Sequence, residues 1–403
     1  MIDVIKSKQR FYSLDVFRGA TVALMIMVNN PGSWANIYSP LEHAEWHGLT
    51  PTDLVFPFFL FAVGNAFAFV MPRLQASGHS AFWKKVIRRG ILIFALGLFL
   101  NWIPFMRWQD NQLMFNSWNF IGADGQLHGV RILGVLQRIA IAYFLAAVII
   151  YFFKLRGSFL IACFILLGYW LLCYAMNPAD PYSLSGWFGT NVDKAILHPQ
   201  HMYHGEVRNG IALAFDPEGL MSSFTPVTQV IFGYLCGDYI IRKGKTAEMV
   251  NGLFVAGTIL LVAGYVWNFT FPVNKKIWTS SFVVCTTGMA MIIIALMIYV
   301  IELKGRKTWL DKFFNVFGKN PLFIFVLSGF IPRFTGLIRI PDGMDAMGKI
   351  VYSTPLHWFY EHICKPVFPD NLKNGSLLYA LIWIFVMWLI VYWMDKKKIY
   401  IKI

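Results

Sequence analysis

Apolar residues in this chain arrive in long unbroken runs, with polar segments between them. Each run lasts about 17–23 residues, the length at which an α-helix crosses a hydrocarbon core of about 30 Å. A helix satisfies its own backbone hydrogen bonds, so it is the natural way for such a run to lie in lipid. The pattern predicts spans at about 16–31, 53–72, 90–106, 131–153, 158–176, 220–241, 249–271, 279–302, 313–332 and 376–394. An eleventh apolar stretch, 350–368, carries His357, Glu361, His362 and Lys365, with Pro355 and Pro366 inside it. Charges and prolines at that density predict an interfacial or re-entrant helix instead of a lipid-facing span. The expected fold is an all-α polytopic membrane protein of about ten transmembrane helices, a single domain over 1–403, because the spans leave no room for a soluble domain between them.

Composition agrees: 57% of residues are hydrophobic and only 14% charged, against about 25% charged in soluble domains. The net charge of +14 does not signal nucleic acid, because the basic residues flank the apolar runs. With ten spans and both termini cytoplasmic, 23 of the 35 Lys and Arg fall inside and 11 outside, with Arg138 within a span. That is the positive-inside distribution. Making 350–368 a span would turn the Lys396–Lys398 cluster outward. The first apolar run is interrupted by Asp15 and Arg18 and no small-x-small site follows it, so it reads as a retained helix and not a cleaved leader. Four of the five cysteines, Cys163, Cys173, Cys236 and Cys285, sit in or beside apolar runs and suit packing better than disulfides or metal.

The same topology sorts the histidines. Of nine, only His79 falls on the cytoplasmic side; His43, His47, His128, His198, His201, His204, His357 and His362 fall outside. The outer segments 31–52, 107–130, 177–219 and 333–375 are also the longest, so chemistry is expected there.

The densest polar stretch runs from Val28 to Gly64. Asn29 and Asn30 end the first helix before Pro31-Gly32; the loop then carries Glu42, His43, Glu45, Trp46 and His47, and Asp53 opens the second helix. An imidazole is the ordinary general base at neutral pH, and a nearby carboxylate fixes its tautomer. His43 and Asp53 are therefore candidate catalytic residues, and Asn29, Asn30 and His47 candidate substrate ligands. Simpler readings stand beside these: Asp53 as a helix N-cap, His43 as a solvated loop residue, the asparagines as helix terminators. His43 and His47 have the i, i+4 spacing of a metal pair, but Pro40 and Gly48 bracket them and no third ligand is evident, so no metal is expected.

Gln137 and Arg138 lie inside an otherwise apolar helix. A charge there marks either an anion site or an internal pair. Asp216-Pro217-Glu218 reads either as a substrate contact, through Glu218, or as a helix start. Outer Trp and Tyr either stack sugar rings or form the interfacial belt.

The segments SLDVFRGATVALMIMVNNPG, HAEWHGLTPTDLVFPFFLFAVG, GVLQRIAIAYF, DPEGL and NKKIWTSSFV occur in that order. Together they resemble the transmembrane acyltransferase family of lysosomal heparan-α-glucosaminide N-acetyltransferase and its bacterial relatives, over nearly the whole chain. The lysosomal enzyme has a further luminal region and one more helix, which fits ten spans here. The resemblance implies acetyl transfer from acetyl-coenzyme A to an amino-sugar or glycan acceptor across the membrane. It places the active-site histidine on His43, its carboxylate on Asp53 and the helix-end asparagine on Asn29. His47 stands where the lysosomal enzyme has asparagine.

On that resemblance His43 acts as base or acetyl carrier and Asn29 as donor to the oxyanion, with Arg138, Gln137 and Arg131 near the coenzyme. The implied setting is the bacterial inner membrane, with the lipid bilayer as partner and the active site facing outward. The alternative is a sugar or amino-sugar transporter, which requires two matched broken helices. Gly90 and Gly97 can pack helices within one chain or across a homodimer.

Overall fold

The computed structural model describes residues 10–109, 111–122, 125–208 and 211–401. Helices dominate: α1 Tyr12–Asn29, α2 Val55–Ala76, α3 Gly78–Trp102, α4 Val135–Met176, α5 Gly189–Leu197, α6 Thr225–Lys243, α7 Ala247–Trp267, α8 Ser280–Ile298, α9 Trp309–Lys319, α10 Pro321–Thr335, α11 Pro355–Phe359 and α12 Leu372–Lys396. Among the described residues, five apolar helical stretches are long enough to cross a membrane: Pro51–Ala76, Val135–Met176, Ala247–Trp267, Ser280–Leu303 and Leu372–Lys396. The pair α9 and α10 makes a sixth if its two halves are one span.

Within Val135–Met176 the chain breaks at Lys154, whose φ of 53° and ψ of −158° are not helical. Ser158 Oγ lies 3.5 Å from the carbonyl of Ile149, although nine residues of straight helix would separate them by about 13.5 Å. The chain therefore folds back on itself, close to the predicted boundary between 131–153 and 158–176.

The run 313–332, expected as one straight span, is instead two helices meeting at 83°. Pro321 excludes the helical conformation from the residue before it, and Asn320 sits at φ −130°, ψ 50°. The C-terminal segment fills the break. Asn320 Nδ2 donates to the Ile399 carbonyl at 3.0 Å, and its Oδ1 accepts from Ile401 N at 2.8 Å. The all-α expectation needs a second correction: four antiparallel hairpins lie in the connecting segments, β1 Met106–Gln109 with β2 Gln112–Phe115, β3 Asn119–Ile121 with β4 Leu127–Gly129, β5 Glu206–Arg208 with β6 Ile211–Leu213, and β7 Ile340–Met344 with β8 Ile350–Ser353. Such polar connections have no apolar period to announce them. The doubtful stretch 350–368 consists of β8, α11 and a π-turn at Tyr360–Cys364.

Hydrogen bonds sort the helix ends into two sets. At one end, Ser13 N donates to Glu302 at 3.0 Å, Lys245 pairs with Glu302 at 2.6 Å and Lys319 with Asp395 at 2.7 Å. The start of α1 and the end of α12 thus share that end. At the other end, Trp46 Nε1 donates to Tyr182 O at 2.8 Å, Gly32 N to Ser376 O at 3.4 Å and Trp108 Nε1 to Leu337 O at 3.0 Å.

The helices approach through small residues, as membrane bundles do. A Cβ on Gly64 would lie 2.0 Å from the Val230 carbonyl oxygen, and one on Gly233 2.1 Å from that of Phe61. This locks α2 against α6 and fixes the helix that Asp53 introduces. Gly97 packs on Gln137, 2.3 Å from its Oε1 by the same construction, so that glycine serves a contact within the chain. Gly64→Ala is expected to destabilise by about 1–3 kcal/mol, read as a lower melting temperature in detergent. Gly168→Ala, at a site with nothing within 4 Å, should leave the melting temperature unchanged; equal effects of the two would contradict the packing.

Candidate functional site

The loop after α1 is drawn together by one buried carboxylate. Asp53 stands in the 3-10 turn Pro51–Leu54 that leads into α2, and with Thr50 it forms a reciprocal capping box. Its Oδ2 accepts from Thr50 N at 3.1 Å, Thr50 Oγ1 at 3.0 Å and Ala44 N at 3.1 Å. Its Oδ1 lies 2.7 Å from His43 Nδ1. The carboxylate is 1% exposed and the imidazole 41%. Capping the helix and holding His43 are therefore not rival roles for Asp53, because one oxygen serves each. An ionised carboxylate only accepts, so Nδ1 carries the proton and Nε2 presents a lone pair.

A third group, not selected from the sequence, completes this corner. Lys275 Nζ lies 3.0 Å from His43 Nδ1, 3.4 Å from Nε2 and 3.4 Å from Asp53 Oδ1. Burial lowers the proton affinity of its ammonium, against the opposing charges of Asp53 and Glu218. The loop that carries it is a tight turn. Asn274 Oδ1 accepts from Ile277 N at 3.0 Å, Asn274 N donates to Thr279 Oγ1 at 3.0 Å, and Trp278 adopts a left-handed φ of 50°. Trp278 tolerates that conformation because it is fully enclosed, edge-on to Phe56 and Phe282, beneath Arg138. A signal was present in the sequence: Lys275 and Lys276 are adjacent basic residues in a segment predicted to be outer, against the positive-inside trend. Lys276 is neutralised by Glu206 at 2.6 Å; Lys275 lies 3.4 Å from Asp53 Oδ1.

His47 faces Asn274 Nδ2 through Nδ1 at 3.4 Å, and burial holds its imidazole below the ordinary value. Its neighbour Trp46 packs edge-on against Phe215.

A second cluster surrounds Arg131. Its guanidinium donates to Asp216 Oδ2 at 3.0 Å, Asp216 Oδ1 at 2.5 Å and Glu218 Oε2 at 2.6 Å, and lies over the Tyr203 ring. Burial pushes the Glu218 carboxyl up, but Arg131 and Arg138 pull it further down, so it is held below the usual range. The charge of Glu218 also acts on Lys275, which links this cluster electrostatically to the His43 corner.

Arg138 is 1% exposed. It donates to Ser222 Oγ, and to Ser223 Oγ at 3.3 Å, with its guanidinium 5.0 Å from the Trp278 ring centre. Among the described residues no carboxylate pairs with it directly. It clamps the turn before α6 to α4.

Asn29 and Asn30 line a cavity of about 260 Å³ with Trp34, Asn101, Arg131, Gln137, Ser328 and Arg333. Asn30 Nδ2 donates to Ile26 O at 2.8 Å, terminating α1. Gln137 Nε2 donates to Ile132 O at 2.8 Å. Arg333, also missed from the sequence, bonds only its own helix, to Gly329 O at 2.8 Å, among the described residues. The cavity thus gathers four of the expected binding residues, Asn29, Asn30, Arg131 and Gln137. Asn29 belongs to this cavity lining; the His43 corner is built from Asp53, Thr50, Ala44 and Lys275.

Residues 10–196 match the family model described as heparan-alpha-glucosaminide N-acetyltransferase, catalytic. The chain is similar to the heparan-alpha-glucosaminide N-acetyltransferases. It is 25% identical to the Homo sapiens protein of that name over 367 residues, which cover 79% of this chain and 52% of the human one. The Mus musculus protein is 25% identical over 374 residues, covering 79% and 53%. The chain spans about half the length of these curated N-acetyltransferases. The region matched by the family model holds Asn29, His43, Asp53, Arg131 and Arg138, whereas Asp216, Glu218, Lys275 and Arg333 lie beyond it.

The segment that carries Glu218 is fastened by Asp193 on α5, whose Oδ1 accepts from Leu220 N at 2.9 Å and Met221 N at 3.3 Å. Its Oδ2 is buried with no hydrogen-bond partner. Burial raises this carboxyl to about 7, against the Met221 N–H and with the help of Asp216. A folded-state value above the unfolded one gives stability that is present at low pH and lost as pH rises through about 7. The melting temperature should fall between pH 6 and pH 8.5, and Asp193→Asn should flatten that slope; an unchanged slope would contradict the burial of this charge.

Proposed function

We propose that the protein transfers an acetyl group from acetyl-coenzyme A to the amine of an amino-sugar-type acceptor, with His43 as base or acetyl carrier. The observation that carries this is the 2.7 Å contact of His43 Nδ1 with a buried carboxylate that already caps a helix. That contact leaves Nε2 as the reactive atom, on the exposed side of the pair. As a base, Nε2 takes a proton from the attacking amine while the new C–N bond forms. The C–S bond then breaks and the proton passes to the leaving thiolate. As a carrier, Nε2 attacks the thioester first, coenzyme A leaves, and the amine takes the acetyl group from nitrogen in a second step. Asp53 serves either route by stabilising the positive ring.

Pockets for drug-sized ligands run to about 300–1,000 Å³, so the 260 Å³ cavity suits one sugar ring or the thioester arm and not a whole coenzyme. Asn29, Asn30 and Gln137 supply its polar contacts. A larger cavity of about 430 Å³ opens at the far end of the bundle, lined by Arg10, Asp15, Arg18 and Asn65. We assign the coenzyme's phosphates to that basic end, where Arg10 and Arg18 share the single carboxylate of Asp15, whereas Arg131 is saturated by two carboxylates and Arg138 is enclosed. The reading extends to ten spans in a bacterial inner membrane, termini inside, with the His43 end outward; the fold-back at Lys154 and the clustering of basic residues at the Glu302 end support it. A transporter, by contrast, calls for two matched broken helices, and among the described residues only α9 and α10 form one.

His43→Ala should abolish acetyl-coenzyme A-dependent acetylation of glucosamine in detergent while keeping the wild-type melting temperature. Asp53→Asn should lose on the order of 10²–10⁴-fold. Full activity in a folded His43→Ala protein would refute the assignment. Arg10→Glu should raise KM for acetyl-coenzyme A about tenfold at unchanged kcat; an unaltered KM would move the phosphates elsewhere.

A further inference from the structure

We infer that Lys275 is a catalytic residue, the donor that meets the oxyanion when the thioester carbonyl is attacked beside His43. The inference rests on the acyl-transfer reading of the same site. Resemblance points to Asn29 for this task; the structure adds Lys275, whose Nζ lies 3.0 Å from Nδ1 and 3.4 Å from Nε2 of the same imidazole. When Nε2 attacks the carbonyl carbon, or takes the proton of an amine attacking it, the carbonyl oxygen is held within a few ångströms of that nitrogen. An ammonium beside Nε2 then lies in reach of the developing negative charge.

Four further features suit Lys275 to the role. Its charge is available: the 3.4 Å to Asp53 Oδ1 is longer than the usual 2.7–2.9 Å of a charge-assisted bond, and that oxygen already faces His43. The adjacent Lys276 is consumed by Glu206 at 2.6 Å and cannot substitute. The side chain is only 18% exposed, so its field is weakly screened. Finally, the turn through Asn274, Trp278 and Thr279 fixes its root, which is the preorganisation that makes such donors effective.

The balance is simple. The carbonyl π electrons move to oxygen, where Lys275 stabilises the charge without giving up its proton. They return as the C–S bond breaks, and the proton that was on the amine leaves on coenzyme A by way of His43.

The test uses the full-length protein in detergent, with acetyl-coenzyme A and glucosamine. Lys275→Met should lower kcat about 10²–10³-fold, with KM for acetyl-coenzyme A changed less than threefold and the melting temperature kept. Lys275→Arg should recover at least tenfold of that loss, because a cation is restored. A Lys275→Met protein within threefold of wild-type kcat would overturn the inference. So would a loss carried by KM or by melting temperature and not relieved by Lys275→Arg, which is the signature of a structural role. If Lys275→Met does not fold, Lys275→Gln and Lys275→Arg are compared by the same criteria. Wild-type protein inactive with amino-sugar acceptors would instead sink the acyl-transfer reading itself.

Discussion

The site depends on the division of labour between the two oxygens of Asp53. One is committed to three donors of the loop and the helix start, Ala44 N, Thr50 N and Thr50 Oγ1. The other is left for His43. A buried carboxylate is costly unless its lone pairs are satisfied, and here the satisfaction is also the positioning. Closing the loop onto α2 brings His43 to the carboxylate. The glycine contacts of α2 with α6 extend that rigidity into the bundle.

Around this pair, charge is distributed so that each cation has a distinct task. Arg131 gathers Asp216 and Glu218, Lys276 takes Glu206, and Arg138 fastens Ser222 and Ser223 beneath a buried tryptophan. Among the described residues, Lys275 is the lysine that faces the imidazole. Its two carboxylate influences, Asp53 and Glu218, come from different loops.

Much of this was legible in the sequence, for physical reasons. Apolar runs of membrane length must be helices in lipid, so nine of the ten predicted spans coincide with helical segments, including the break near Lys154. The polar hairpin from Val28 to Gly64 announced His43 and Asp53, because polar groups between two apolar helices need a reason. The bend at Asn320 was missed because Pro321 begins an apolar run and was absorbed into it. Lys275 and Arg333 were missed because they are brought to the site by loops and helix ends far along the chain. Sequence position carries no distance across a bundle; only the oddity of paired lysines in a segment predicted to be outer hinted at one of them. Arg138 was seen as a buried charge, but its partners, two serines and an indole, are neutral groups that no pattern of opposite charge could reveal.

The most direct test of the account is calorimetric titration of acetyl-coenzyme A into the detergent-purified wild-type protein. The account predicts saturable binding with one site per chain. A folded protein that gives no heat of binding at millimolar ligand would contradict it.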